Sequence, residues 1–453
     1  MPPRRSTRST SLTAPSEITL VMLPIAVIQR IFLMLNLPTR LRCFEVCRAW
    51  RAVLADTSLG THLDLTAESD AHRGEYEARW PFPGTQPDAL LRCAAARAGG
   101  TLASLRVELG HVSQVALLHV LTTNAGALRE LHTSYGYKEV GLSLGQAEAL
   151  LQAAPGLRTF VADLGERYTL EYRAALRALR NEAPFGPLRI RRLDVLFGLG
   201  TEAPDVVAFA ADRAAHASLE ELTLRFARMS APAPVDAVVN VALARRLRVV
   251  KLKGCNLFPA SAPALARLLG GNSLTTLWCT GSRDFLDFGA TAVLAAALRA
   301  NNTLTSFSMA DCGAFSDAAV ATTLLNALTG HASLHAINLK HGGNHIQDAV
   351  AVVIGDALGA LVAANAPALT LLKVSYCRIG EGGWRPLIEA LRVNTHLREL
   401  HCGSSDLTQT FAADVLLPAV RANASLRELK YCPRLVDLPD AGHEAMQLVR
   451  ARQ

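Results

Sequence analysis

The chain has 453 residues, half of them apolar and 19% charged, with a net charge of +7. That length holds a small domain plus a larger one, or a small domain plus a repeat array. Arg4, Arg5 and Arg8 supply three of the excess charges, so no nucleic-acid-binding stripe follows. The uncharged stretches 109–128 and 318–339 carry Asn, His, Thr or Ser residues, and neither reads as a membrane span.

Taken in chain order, residues 1–17 lack a continuous apolar core and read as a disordered basic tail rather than a secretory signal. Nine cysteines, an odd number without such a signal, point to free thiols in a reducing compartment. The cytoplasm is the expected location, with the nucleus as the second choice. From Leu23 to Leu37 the spacing predicts a helix with Ile28, Ile31, Phe32 and Leu35 on one face and Pro24 in its first turn. Leu41, Phe44, Val46, Cys47, Trp50, Val53 and Leu54 predict one or two more short helices. A helical unit of residues 18–65 buries too little surface to stand alone, so it needs a partner or an attached domain. Residues 66–90, with mixed charges and a Trp80-Pro81-Phe82-Pro83-Gly84 cluster, read as a linker.

From residue 91 to 453 one pattern dominates, an apolar triplet spaced L-x-x-L-x-L. It starts at Leu102, Leu128, Leu157, Ile190, Leu219, Leu247, Leu274, Leu304, Leu334, Leu369, Leu397 and Leu426, an average interval of about 29 residues. In Leu219–Leu224 and Leu247–Leu252 the alternation is that of a short strand with one face inward. Between triplets lie Ala- and Leu-rich stretches such as 289–302 and 382–394, helical in spacing and with Asn near the end. The expected fold is therefore an α/β solenoid of about twelve repeats, a horseshoe with a parallel inner sheet and outer helices, preceded by a small all-α domain.

Two resemblances become specific at this point. Residues 23–65 resemble an F-box: Leu23-Pro24, Ile31-Phe32, Leu37-Pro38, Val46-Cys47-Arg48, Trp50 and the closing Leu63-Asp64-Leu65 all stand in place without a gap. Ile25-Ala26 replaces the acidic residue common after the Leu-Pro pair, and Gly60 stands where a tryptophan often follows Leu59. The triplet array is similar to leucine-rich repeats of the ribonuclease-inhibitor-like class. Together the resemblances imply a non-catalytic subunit of an SCF-type ubiquitin ligase. Leu23, Pro24, Ile28, Ile31, Phe32 and Leu35 would dock a Skp-type adaptor, joined in turn to a cullin, and the repeats would bind a protein substrate. The alternative is a leucine-rich-repeat scaffold or regulator unrelated to ubiquitination, with the N-terminal helices serving only as a cap.

Catalytic chemistry is not expected. Gly141-Leu142-Ser143-Leu144-Gly145 matches a nucleophile elbow in letters, yet it follows a strand where a repeat turns into its helix, and no partner Asp and His are identifiable. Cys255, Cys312 and Cys377, each eight residues after a leading Leu, read as turn-satisfying structural residues. Cys279 and Cys402 read as small core residues. Neither Cys43 with Cys47 nor His341 with His345 makes a metal set, so no metal and no cofactor are expected. Binding residues belong instead to the outward strand positions. There Arg225, Lys251, Lys253, Trp278, Lys340 and Lys373 form a basic run suited to an acidic or phosphorylated segment of the substrate. Tyr135, Phe197, Phe226 and Tyr376 add aromatics at the eighth position, either exposed beside the cations or tucked under loops. No nucleic-acid or membrane partner is expected.

Overall fold

A computed structural model describes residues 62–65, 85–108, 111–134, 149–150, 152–162, 191–196, 206–207, 219–227, 229–342, 348–402, 407–431 and 440–452, together with Val27. Among the described residues, thirteen strands form one parallel sheet in strict chain order. They are β1 (His62–Leu65), β2 (Ser104–Glu108), β3 (Glu130–Ser134), β4 (Thr159–Ala162), β5 (Arg192–Leu196), β6 (Glu221–Arg225), β7 (Val249–Lys253), β8 (Thr276–Thr280), β9 (Ser306–Ser308), β10 (Ala336–Asn338), β11 (Leu371–Lys373), β12 (Glu399–Cys402) and β13 (Glu428–Tyr431). Each of the twelve triplets lands on one of β2 to β13. The first strand is the exception. Its segment Gly60-Thr61-His62-Leu63-Asp64-Leu65 has the inward pair but Gly where the leading Leu would stand.

The register explains the pattern. Leu63 of β1 pairs with Leu105, Leu105 with Leu131, and the same apolar position continues through Leu222, Val250, Leu277, Phe307, Ile337, Leu372 and Leu400 to Leu429. A parallel sheet built this way stacks like on like, so each repeat's apolar row is covered by its neighbours rather than by itself. Strands β7 and β8 show the consequence directly, with buried and half-buried residues alternating.

Helices form the second layer. Those described are α1 (Pro87–Ala98), α2 (Gln114–Thr123), α3 (Pro232–Arg245), α4 (Ala262–Gly270), α5 (Phe288–Ala300), α6 (Ala318–Leu328), α7 (Asp348–Ala363), α8 (Gly380–Ala390), α9 (Gln409–Phe411), α10 (Leu417–Ala422) and α11 (Asp440–Arg450), with π-helical Ala412–Leu416 between α9 and α10. Proline opens α1 and α3, where the missing N–H costs nothing. Asp287 and Asp317 cap α5 and α6 by accepting from the N–H groups of Ala290 and Ala319. The inner helix faces and the inward strand residues share one hydrophobic core running from Leu63 to Val449. No described helix is long and apolar enough to cross a membrane. Helix α1 begins inside the stretch expected to be a linker, and the sheet begins at β1, within the segment expected to close the helical unit.

Two polar devices hold successive repeats at the turns. Buried Asn301, Asn394 and Asn423 each donate from Nδ2 to a carbonyl of the preceding repeat, Leu269, Val362 and Leu391 respectively, at 2.6 to 2.8 Å. Each Oδ1 accepts from the N–H of the following leading leucine, Leu304, Leu397 and Leu426, at 2.8 Å. At the other end of the strand the eighth repeat position takes a left-handed backbone, seen at Phe226, Gly254, Gly281, Asp311, His341 and Tyr376. The residue after it turns inward. Cys255, Cys312 and Cys377 there direct their thiols at the carbonyls of Leu224, Cys279 and Leu339, each on the preceding repeat.

Burial pushes the thiols of Cys255, Cys312 and Cys377 up to about 12, and that of Cys279 well above its ordinary value. Cys402 is buried as well, whereas Cys93 is only partly so. Iodoacetamide at pH 8 is therefore expected to modify Cys93 and to leave these five untouched in the folded chain. Mass mapping of the peptides checks this.

Helices α7 and α8 pack backbone to backbone at two glycines. A Cβ on Gly355 would lie 2.3 Å from the Gly383 carbonyl oxygen, and one on Gly359 would lie 2.9 Å from that of Pro386. Helix propensity alone says that Gly355→Ala should stabilise by up to about 1 kcal/mol. The backbone contact reverses the sign: the expected result is a loss of about 2 kcal/mol from overpacking, measured by urea unfolding.

Candidate binding face of the sheet

The face of the sheet turned away from the helices carries residues at the fifth and seventh repeat positions. On β7 and β8 the register places Lys251 directly beside Trp278, and Lys253 beside Thr280, while Arg225 on β6 lies beside Lys253. Adjacent strands stand about 5 Å apart, so four residues separated by up to 53 positions in sequence occupy one surface. All four are partly exposed.

Trp278 is the fixed centre. Its Nε1 donates to Ser306 Oγ on β9 at 2.9 Å. Over its ring lie the ammonium groups of Lys251 at 4.3 Å and Lys253 at 5.5 Å from the centroid. Such contacts contribute on the order of 0.5–1 kcal/mol each at exposed sites, enough to order the lysines and too little to lock them. Partial burial, then the neighbouring Arg225 charge and that of Lys251, holds Lys253 below the ordinary lysine range, with Asp194 opposing.

Arg225 does not extend the basic run as an open charge. Its Nε and Nη2 donate to the two carboxylate oxygens of Asp194 on β5 at 2.8 and 2.5 Å. Asp194 is the better buried partner, so the fork is committed to it and the local charge cancels. The positive potential of this face therefore rests on Lys251 and Lys253.

Lys340 and Lys373 belong to a separate group. Strands β9 and β10 lie between Lys373 and Trp278, contributing Ser308 and Asn338 at the equivalent position, and Lys340 stands two residues beyond Asn338. Beside Lys373 the register places His401 and then Lys430. Both were legible by continuing the fifth-position count through the last two repeats, as was Asp194 by counting back.

The eighth-position aromatics divide likewise. Phe226 is 54% exposed and Tyr376 47%, so these two are not tucked under loops. The Phe226 ring lies where a Cβ on Gly254 would fall, 2.8 Å from it, which only glycine permits at that turn. Tyr376 stacks on His341 with centroids 4.7 Å apart. Tyr135 and Phe197 lie outside the described residues, as do Leu23, Pro24, Ile28, Ile31, Phe32 and Leu35, the pair Cys43 and Cys47, residues 141–145, and His345.

No curated protein matches this chain in sequence. Among solved structures the chain is similar to the complex of Rad7 and Elc1 in yeast, with a TM-score of 0.46 and 14% identity over 78% of this chain and 88% of that one. It is also similar to actin-binding site 2 of leiomodin-1, with a TM-score of 0.27 and 16% identity over 42% of this chain and 87% of that one. The chain carries an F-box-like segment: the F-box-like family model matches residues 20–66, a stretch that ends on the first strand of the sheet.

Proposed function

We propose that this chain is the target-recognition subunit of an SCF-type ubiquitin ligase, non-catalytic in itself. The F-box-like match carries the proposal. In this reading Leu23, Pro24, Ile28, Ile31, Phe32 and Leu35 dock a Skp-type adaptor that connects to a cullin, and residues 62 to 452 are a leucine-rich-repeat solenoid. The matched residues 20–66 include β1, whose Leu63 and Leu65 are buried in the shared core. The F-box-like segment thus contributes one strand to the sheet whose open face carries Lys251, Lys253 and Trp278. In this reading a target held by the chain that docks the adaptor sees a high local concentration of the ubiquitin-loaded enzyme. The target is held on the open sheet face, where Lys251 and Lys253 favour an acidic segment and Trp278 offers anchored apolar area.

The test is co-purification of the full chain from a eukaryotic lysate, followed by reconstitution with purified adaptor and cullin. Retention of both in stoichiometric amount is the expected result. A chain that folds and retains neither would overturn the reading.

A further inference from the structure

The outer surface of the helical layer changes character along the array. Helices α3 and α4 are joined there by Asp236 with Arg267, α8 carries Arg385 with Glu389, and α10 and α11 are joined by Arg421 with Glu444. Helices α5, α6 and α7 pack side by side between these groups, and among the described residues they make no ion pair. Their only charged residues are Arg299, Asp348 and Asp356. In place of charge they expose large apolar side chains. Phe288 is 62% exposed, and Val293, Val352 and Val353 are exposed as well. Between them the outer row of α6 is Ala319, Thr322, Thr323 and Asn326, small and uncharged. An apolar face three helices wide, bordered by ion pairs on both sides, has the composition of a surface that meets another protein.

The arrangement on that face selects the partner. Helix α5 has its exposed ring, Phe288, at its N-terminal end and its cation, Arg299, at its C-terminal end. Helix α7, on the far side of α6, has the reverse order: the exposed carboxylate of Asp348 opens it, and exposed Ala360 and Ala363 leave room near its C-terminal end. Because every strand of the sheet runs the same way, the helices that return the chain run parallel to one another. A two-fold axis through α6, normal to the face, therefore sets α5 of one copy antiparallel on α7 of the other. Arg299 then meets Asp348 and Phe288 meets the alanines, each twice. Helix α6 lies on its own copy, with Thr322 and Thr323 near the axis. At 1.5 Å per residue and about 10 Å between helices, the face measures about 20 by 30 Å, and side-chain relief brings it near the roughly 800 Å² per partner of a stable interface.

We propose that the outer faces of α5, α6 and α7 form the two-fold interface of a homodimer of this chain. An isologous contact needs a self-complementary patch, and this one carries its cation and its carboxylate, its ring and its recess, on opposite sides of one central helix. A partner of strong net charge finds little to pair with here. The contact lies on the helical layer, so the open sheet face that carries Lys251, Lys253 and Trp278 stays uncovered in both copies. Dimerisation is measured without adaptor, cullin or target, and it stands or falls independently of the function proposed above.

The experiment is sedimentation velocity of the full chain at concentrations from about 0.5 to about 50 µM, where a reversible dimer is the expected result. Val352→Glu places an unpaired carboxylate in the contact twice and is expected to weaken the dimer by at least about a hundredfold. Glutamate is the better helix former and Val352 is exposed, so thermal unfolding of the variant should hardly change. Arg299→Glu is expected to weaken the dimer by about tenfold, and Arg299→Glu combined with Asp348→Arg to restore it. A chain that stays monomeric throughout the range would overturn the proposal. So would a dimer that survives Val352→Glu, or a double variant that fails to recover. Open-ended growth to larger species would overturn it too, because a two-fold contact closes at two copies.

Discussion

Replacing Leu23 and Pro24 together by alanine is expected to weaken capture of a Skp-type adaptor by at least about a hundredfold, because apolar anchors at the centre of an interface contribute 2 kcal/mol or more each. The thermal unfolding of the chain should barely move. Both residues lie in the F-box-like match but upstream of β1, and among the described residues the shared core of the sheet and helices starts at Leu63. Adaptor pull-down and calorimetry on the same preparation decide the matter. Loss of the unfolding transition along with adaptor binding would mean that the N-terminal segment serves as a cap for the repeats, and the scaffold alternative would then stand.

Reversing both lysines of the central face, Lys251→Glu with Lys253→Glu, is expected to abolish target capture and leave adaptor binding intact. Four units of charge change on one surface about 10 Å across, and like charge set against an acidic segment costs several kcal/mol. In the parent protein, capture should weaken as salt is raised, since the partly exposed lysines are screened within about 10 Å at 0.1 M ionic strength. Trp278 keeps its bond to Ser306 in the double variant, so the stability loss should not exceed about 2 kcal/mol, from the two ring contacts. Ubiquitination of the native target at an unchanged rate would show that recognition lies elsewhere, in the loops or at the terminal repeats. Because Arg225 is engaged by Asp194, its substitution is a different experiment: Arg225→Ala leaves a mostly buried carboxylate beside Lys253 and reads out packing as well as charge.

The sequence by itself determined the strands. A period of two over six residues, recurring about every 29 residues, can be satisfied only if each inward row is covered by the next copy, and every triplet from Leu102 to Leu426 became a strand of one parallel sheet. Cys255, Cys312 and Cys377 were equally legible, since a residue at a fixed offset from each strand meets the same carbonyl in each repeat. Tertiary structure alone decided the rest. Strand β1 lacks the leading Leu, so its membership depends on pairing with Leu105, not on its own letters. The pairing of Arg225 with Asp194, 31 residues apart, and the enclosure of His401 by its neighbours arise from register between strands. Register carries residues of different repeats into contact, and a pattern read along one chain records which face a side chain takes but not which charge will stand beside it.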